Sequence, residues 1–399
     1  MRARVFALTW VSYASYYLTR KNFSVTKSSI QDSLGIGQGT LGAIDVAYLT
    51  MYSIGQFIWG PVADRIGSRR VIAVGMLASA GLCAAFGLSS AGLVFGAIWA
   101  LNGLAQSTGW PANLKAITPW FPPEKRGTVM GFWSTCYQFG SWVANPIAVA
   151  FIGVAALAWR GAFVFPAIIV AGVGIAVFLF LPEKRVPVDE EARARFHEEV
   201  KRERTRVLRT PLVWALGSAY FFMKLIRYVL FFWLPYYMRR ELGYSVELAG
   251  IAPNAFEIGG LIGAVTAGFV SDRLFQGRRV EVGVISLILL ALAMPLYAYL
   301  VKLGLGYNVL GLAVVGFCLF GPDTLLSATA AQDLGGPAAA ATAAGVINGL
   351  GSVGPILGLA LAPWMSQKLG WTLYFASLGV GAFIGALILL PFLRQEAKR

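Results

Sequence analysis

The chain has 399 residues, of which 57% are hydrophobic and only 13% charged, and its formal net charge is +14. Its mean hydropathy of +0.66 excludes an ordinary soluble domain, in which roughly half of the residues are apolar. The basic excess alone suits a nucleic-acid binder, but its distribution along the chain argues for a membrane instead.

Apolar stretches long enough to cross a hydrocarbon core of about 30 Å recur from end to end. Twelve spans are expected, at 5–30, 41–62, 70–89, 93–117, 127–152, 160–181, 211–238, 247–271, 281–301, 307–330, 338–364 and 371–392. Most Lys and Arg fall in alternate connections, which is the positive-inside pattern and predicts both termini on the cytoplasmic side; Arg239 and Arg240 depart from it. The first span lacks the small-residue cleavage site of a signal peptide, so no processing is expected. Cys83, Cys136 and Cys318 lie singly within spans, which argues against disulfides and zinc, and no metal is expected.

In the first span Tyr13, Tyr16, Tyr17, Arg20 and Ser24 share one helical face, with Lys21 at its margin. A charge at the bilayer centre costs about 2.5–3.5 kcal/mol on insertion scales, so it should face a cavity or a partner. In the second span GPVADRIGSRR (60–70) ends the helix and turns the chain. After the sixth span comes a long mixed-charge segment, 183–209, which holds His197, the only histidine, and reads as a solvated linker.

The seventh span repeats the charged stripe with Tyr220, Lys224 and Arg227, and the eighth ends in GFVSDRLFQGRR (268–279). Asp272 follows Asp64 by 208 positions and Arg227 follows Arg20 by 207. Nearly one offset shared by two features implies a parallel repeat of six spans, with the substrate site near the midplane and halves that rock around it. The domains are therefore expected at 1–182 and 211–399, joined by a linker at 183–210.

The intramembrane charges counted in this way are Arg20, Lys21, Lys115, Lys224 and Arg227 against Asp45, Glu257 and Asp323. Like charges repel in a low dielectric, and guanidinium forks match phosphate or carboxylate oxygens. The cationic surplus favours an anion site; internal pairing with the three acids is the alternative. Lys21, Asp45, Lys115, Glu257 and Asp323 are expected to tune the field or form ion pairs. No cofactor is implied, and an enzyme is not expected, since no nucleophile and base pair accompanies these cations.

The G-x-x-x-D-R-x-G-x-R-R connection after the second span resembles the signature of the major facilitator superfamily. That resemblance implies an all-α membrane protein of twelve transmembrane helices in two pseudo-symmetric six-helix bundles. It also implies a cytoplasmic gate formed by Asp64, Arg65, Arg69, Arg70, Asp272 and Arg273, the aspartates being favoured near a helix N-terminus.

A narrower resemblance is carried by SYASYYLTRKNFSV (12–25), NGLAQSTGWP (102–111), LIRYVLFFWLPYYM (225–238) and FGPDTLL (320–326). Together these are similar to the organophosphate:phosphate antiporter family, which includes glycerol-3-phosphate and sugar-phosphate transporters. The resemblance implies exchange of an organic phosphate for inorganic phosphate, with Arg20 and Arg227 on the phosphoryl group. It also implies a pore lined by Tyr13, Tyr17, Tyr52, Trp110 and Trp133. Gln56 stands where bacterial members often have lysine, Tyr137 where they have histidine, and Lys224 where glycerol-phosphate members have tyrosine. These three complete the expected substrate-binding set.

The expected partners are a small anion and the lipid bilayer, with no nucleic acid, and the chain is expected to work as a monomer in a bacterial cytoplasmic membrane. Two other functions remain open: a transporter-like sensor of sugar phosphate, and a proton-coupled carboxylate symporter.

Overall fold

The computed structural model describes residues 1–90, 92–121, 123–152, 157–183, 202, 203 and 205–393. The linker expected at 183–210 falls largely outside these residues. The described residues contain helices and no strand.

The helices are α1 (Arg2–Ser15), α2 (Lys21–Leu34), α3 (Gln38–Ile66), α4 (Ser68–Leu88), α5 (Gly92–Gln106), α6 (Gly109–Ile117), α7 (Pro123–Ala150) and α8 (Gly161–Phe180). After the linker come α9 (Pro211–Arg240), α10 (Val246–Ile251), α11 (Asn254–Arg273), α12 (Arg279–Leu300), α13 (Leu305–Thr324), α14 (Ala330–Leu369) and α15 (Trp371–Leu389). Taken as α1 with α2, α5 with α6 and α10 with α11, they match the twelve expected spans in order. By length and composition, nine candidate membrane-crossing helices stand out among the described residues.

The first, fourth and fifth expected spans are absent from those nine, and the first and fourth are each divided into two helices. A 3-10 turn over Tyr16–Thr19 separates α1 from α2, and Arg20 at the joint has φ −119° and ψ −49°. A two-residue turn at Ser107 and Thr108 separates α5 from α6. The connection expected between the tenth and eleventh spans is helical: a π turn over Leu325–Thr329 leads from α13 directly into α14.

The chain forms two compact units. One comprises residues 1–186 together with Phe232–Ala252, and the other Pro187–Phe231 together with Pro253–Arg399. Each has its own packing scheme, and the two schemes correspond. In the first unit α3 packs on α5 and α4 on α8; in the second α11 packs on α13 and α12 on α15. The repeat inferred from the shared offset is therefore visible as the same pairing of helices two and four, and three and six, within each six-helix set.

Small residues make these pairings close. A Cβ added at Gly259 or Gly263 of α11 would strike the backbone of Ala313 or Phe317 on α13, so the two helices touch main chain to main chain. At the end of α4, Arg160 donates to the carbonyls of Gly87 (2.7 Å) and Ser89, a cation placed on the negative end of the helix. Cys83, Cys136 and Cys318 are free and buried.

Candidate anion site

The first unit builds a cationic site around the break in its first span. At the joint the helical ladder is interrupted: the Phe23 N–H donates to Asn22 Oδ1 (2.9 Å), while the Thr19 carbonyl accepts from Gln106 Nε2 (2.9 Å) and Asn102 Nδ2 (3.1 Å). Side chains of α5 thus replace the backbone partner that a continuous helix would supply. The break turns Arg20 inward.

Arg20 is 7% exposed. Its guanidinium lies 4.6 Å from the Tyr17 ring centroid and 5.0 Å from that of Tyr52, close enough for cation–π attraction. Its Nε donates to Gln106 Oε1 at 2.9 Å. Its Nη2 is buried with no hydrogen-bond partner among the described residues. No carboxylate is within ion-pair distance of Arg20 among the described residues. A buried guanidinium left uncompensated is costly, and an anion removes that cost.

An aromatic wall stands beside it. Tyr13 packs against Trp110 (5.4 Å between centroids), Trp133 (5.7 Å) and Tyr17 (6.2 Å). Tyr52 stacks on Tyr48 at 6.1 Å. Trp110 and Tyr52 are partly exposed, whereas Trp133 is fully buried and its indole N–H donates to Thr9 Oγ1 at 3.0 Å. The indole of Trp133 is thus committed to joining α1 and α7. Gln56 Nε2 donates to the Ser107 carbonyl at 3.2 Å, and Tyr137 is partly exposed on α7.

The single stripe expected on the first span is not preserved through the 3-10 turn. Tyr16 leaves it, its hydroxyl meeting Thr108 Oγ1 at 2.7 Å deep in the unit, and Ser24 donates to the Phe232 carbonyl at 3.0 Å. Lys21 is 2% exposed.

Asp45 pairs with Lys27, a residue absent from the charge count made on the sequence. The pair is fully buried on both sides. Lys27 also donates to the Phe232 carbonyl at 3.0 Å and lies 3.9 Å from the centroid of a Trp233 ring. Tyr236 donates to Gln31 Oε1 at 2.6 Å and accepts from Gln38 Nε2 at 2.8 Å, and Arg240 pairs with Asp32. These contacts hold the segment from Phe232 onward in the first unit. They also give Arg240, read from the sequence as a stray charge, a structural role.

In the second unit Arg227 donates to Asp323 Oδ2 at 3.0 Å and lies 4.5 Å from the Phe320 ring centroid. Asp323 sits just before the π turn, where Ser327 Oγ donates back to its carbonyl at 2.6 Å; such turns recur at functional sites. Lys224 approaches Ser352 Oγ at 3.2 Å and Asn348 Oδ1 at 3.5 Å, both on α14, and lies 5.0 Å from the Tyr220 centroid. Glu257 is buried in the first turn of α11. Lys115 donates to the Ala63 carbonyl at 2.6 Å, at the end of α3.

Of the residues expected at the gate, Asp64 and Asp272 lie in the last turns of α3 and α11, the negative ends of those helices and not the N-termini expected for them. The compensating charge for Asp272 comes from Arg279, which also reaches Asp333 at 3.5 Å. Arg273, also expected at the gate, lies 5.6 Å from the Phe269 centroid. In the first unit the Arg69 N–H donates to Glu183 Oε1 at 2.8 Å, a carboxylate at the start of α4. Arg65 and Arg70 are exposed. The side chain of Asp64 lies outside the described ones.

Residues 9–359 match the Major Facilitator Superfamily. A putative glycerol-3-phosphate transporter 3 of Arabidopsis thaliana is 30% identical over 443 residues, covering 97% of this chain and 86% of the relative. The glucose-6-phosphate exchanger SLC37A2 of Xenopus laevis is 29% identical, covering 100% and 93%. The membrane sensor protein UhpC of Salmonella typhimurium is 28% identical, covering 100% and 93%.

Proposed function

Since the chain belongs to the major facilitator superfamily and, within it, to the organophosphate:phosphate antiporter family, we propose that it exchanges an organic phosphate for inorganic phosphate by alternating access. Glycerol 3-phosphate and sugar phosphates are the substrate classes. It is an integral multi-pass membrane protein. The charge pattern supports both termini on the cytoplasmic side, a bacterial cytoplasmic membrane is the proposed location, and the same reading keeps 1–182 and 211–399 as the moving halves.

The observation that carries this reading is Arg20: a buried guanidinium with one edge partnerless and no carboxylate beside it. Arg20 and Arg227, one from each half of the sequence, are the proposed phosphoryl ligands. Tyr13, Tyr17, Tyr52 and Trp110 surround or adjoin the first of them, and Lys224 adds a cation three residues from the second. Gln56 and Tyr137 remain proposed substrate contacts. An empty, cationic site resists closing, and either phosphate species neutralises it, so exchange is obligatory.

The test is counterflow in proteoliposomes against glycerol 3-phosphate, glucose 6-phosphate, phosphoglycerate and phosphoenolpyruvate, with Arg20→Lys and Arg227→Lys as controls. Uptake should require phosphate inside; equal uptake into phosphate-free vesicles contradicts exchange, and normal transport by both variants contradicts the ligand assignment. The likeness to a membrane sensor supports a second reading, in which sugar phosphate binds without transport; binding with no counterflow selects it.

A further inference from the structure

Arginines buried without a carboxylate need something else to fix them. In the first unit that role falls to an amide. Gln106 Oε1 accepts both the Arg20 Nε–H (2.9 Å) and the Tyr48 hydroxyl (2.8 Å). Its Nε2 donates to the Thr19 carbonyl (2.9 Å) and lies 3.1 Å from Thr19 Oγ1. A carbonyl only accepts, so the orientation of this amide is determined by its neighbours.

The surroundings hold it there. Asn102 Oδ1 accepts from Ser79 Oγ at 2.7 Å, and the Ser79 and Thr19 hydroxyls meet at 3.0 Å. Gln106, Asn102, Ser79 and Thr19 are all 0% exposed. A Cβ at Gly103 would strike the Tyr48 backbone; the bare glycine lets α3 and α5 approach until Tyr48 reaches Gln106. Both polar atoms of the Gln106 amide are thus occupied inside the unit.

We propose that Gln106 is the positioning residue for anion binding: it fixes the Nε edge of Arg20 with a neutral acceptor and so presents the partnerless Nη2 edge to a phosphoryl oxygen with its charge intact. A carboxylate at 106 would make the same bond and cancel that charge, as Asp323 does for Arg227. The inference rests on Arg20 being a phosphate ligand, the assignment made above.

The test uses the full chain in lipid nanodiscs, inorganic phosphate as the probe, and the variants Arg20→Gln, Gln106→Glu and Gln106→Met. Gln106→Glu should weaken phosphate binding by calorimetry roughly tenfold or more, more than Gln106→Met does, while its phosphate-free thermal midpoint stays at or above that of the wild type. A merely structural role would instead lower midpoint and affinity together, more for the buried carboxylate. Phosphate binding by Gln106→Glu within twofold of wild type, with binding lost in Arg20→Gln, overturns this inference and leaves the functional reading intact. Undiminished binding by Arg20→Gln overturns the ligand assignment, and this inference with it. Where Gln106→Glu does not fold, Gln106→Met in proteoliposome counterflow decides: a raised KM for phosphate with kcat within twofold supports positioning, and an unchanged KM overturns it.

Discussion

Arg227 is joined to Asp323 at 3.0 Å within one unit, while Arg20 in the other is held by the neutral amide of Gln106. Two residues at matching places in an internal repeat therefore differ in charge balance: one is compensated by the protein, the other is not. Under the proposed ligand assignment, phosphate would meet no competing carboxylate at Arg20, whereas Asp323 already occupies Arg227.

Asp323→Asn removes that competition. The variant should bind inorganic phosphate more tightly, by roughly three- to tenfold, the order expected when a charge-assisted hydrogen bond is no longer contested. Its exchange rate should fall, because the empty site is more cationic. Calorimetry paired with counterflow tests this; unchanged affinity would mean that Arg227 does not meet the phosphate.

Lys27 and Asp45 make the most completely buried ion pair among the described residues, and Asp45 Oδ1 has no hydrogen-bond partner there. Lys27→Met or Asp45→Asn should each destabilise the protein by about 3–5 kcal/mol, the usual cost of leaving half of a buried pair. The double change to Met and Leu should recover most of the loss. A double variant no more stable than the single ones, measured by thermal unfolding in the same detergent, would show that the pair is held for something other than its own compensation.

Arg279 lies between Asp272 and Asp333, and Arg273 does not. Asp272 is 64% exposed, so Arg279→Gln should cost no more than about 1 kcal/mol of stability. Its effect belongs in turnover: exchange should change severalfold, and Arg273→Gln should leave it within twofold. Equal effects of the two substitutions on exchange would mean that the Asp272–Arg279 pair has no special part in the gate.

The twelve spans and the repeat were legible because each is written in local hydropathy or in a nearly fixed offset. The break at Tyr16–Thr19 was not, since YYLT contains neither glycine nor proline; amides 80 and more residues away hold it open. Lys27 escaped the charge count because a lysine toward the end of a span normally snorkels to water. Only the packing of Asp45, Phe232 and Trp233 around it shows that it does not. Gln106 lay inside a segment recognised as a whole, NGLAQSTGWP, and a glutamine carries no charge to draw notice. Trp133 illustrates the converse: its expected place in the pore was implied by the family resemblance, while its N–H donates to Thr9 inside the unit.

The three cysteines are solitary, free and buried, which makes the wild-type chain a quiet background for thiol chemistry. A cysteine introduced at Ile54, Phe57 or Trp364, all well exposed, would take up a membrane-permeant maleimide against little background. Labelling rates with and without phosphate then report which surfaces open during the cycle, without first building a cysteine-free protein.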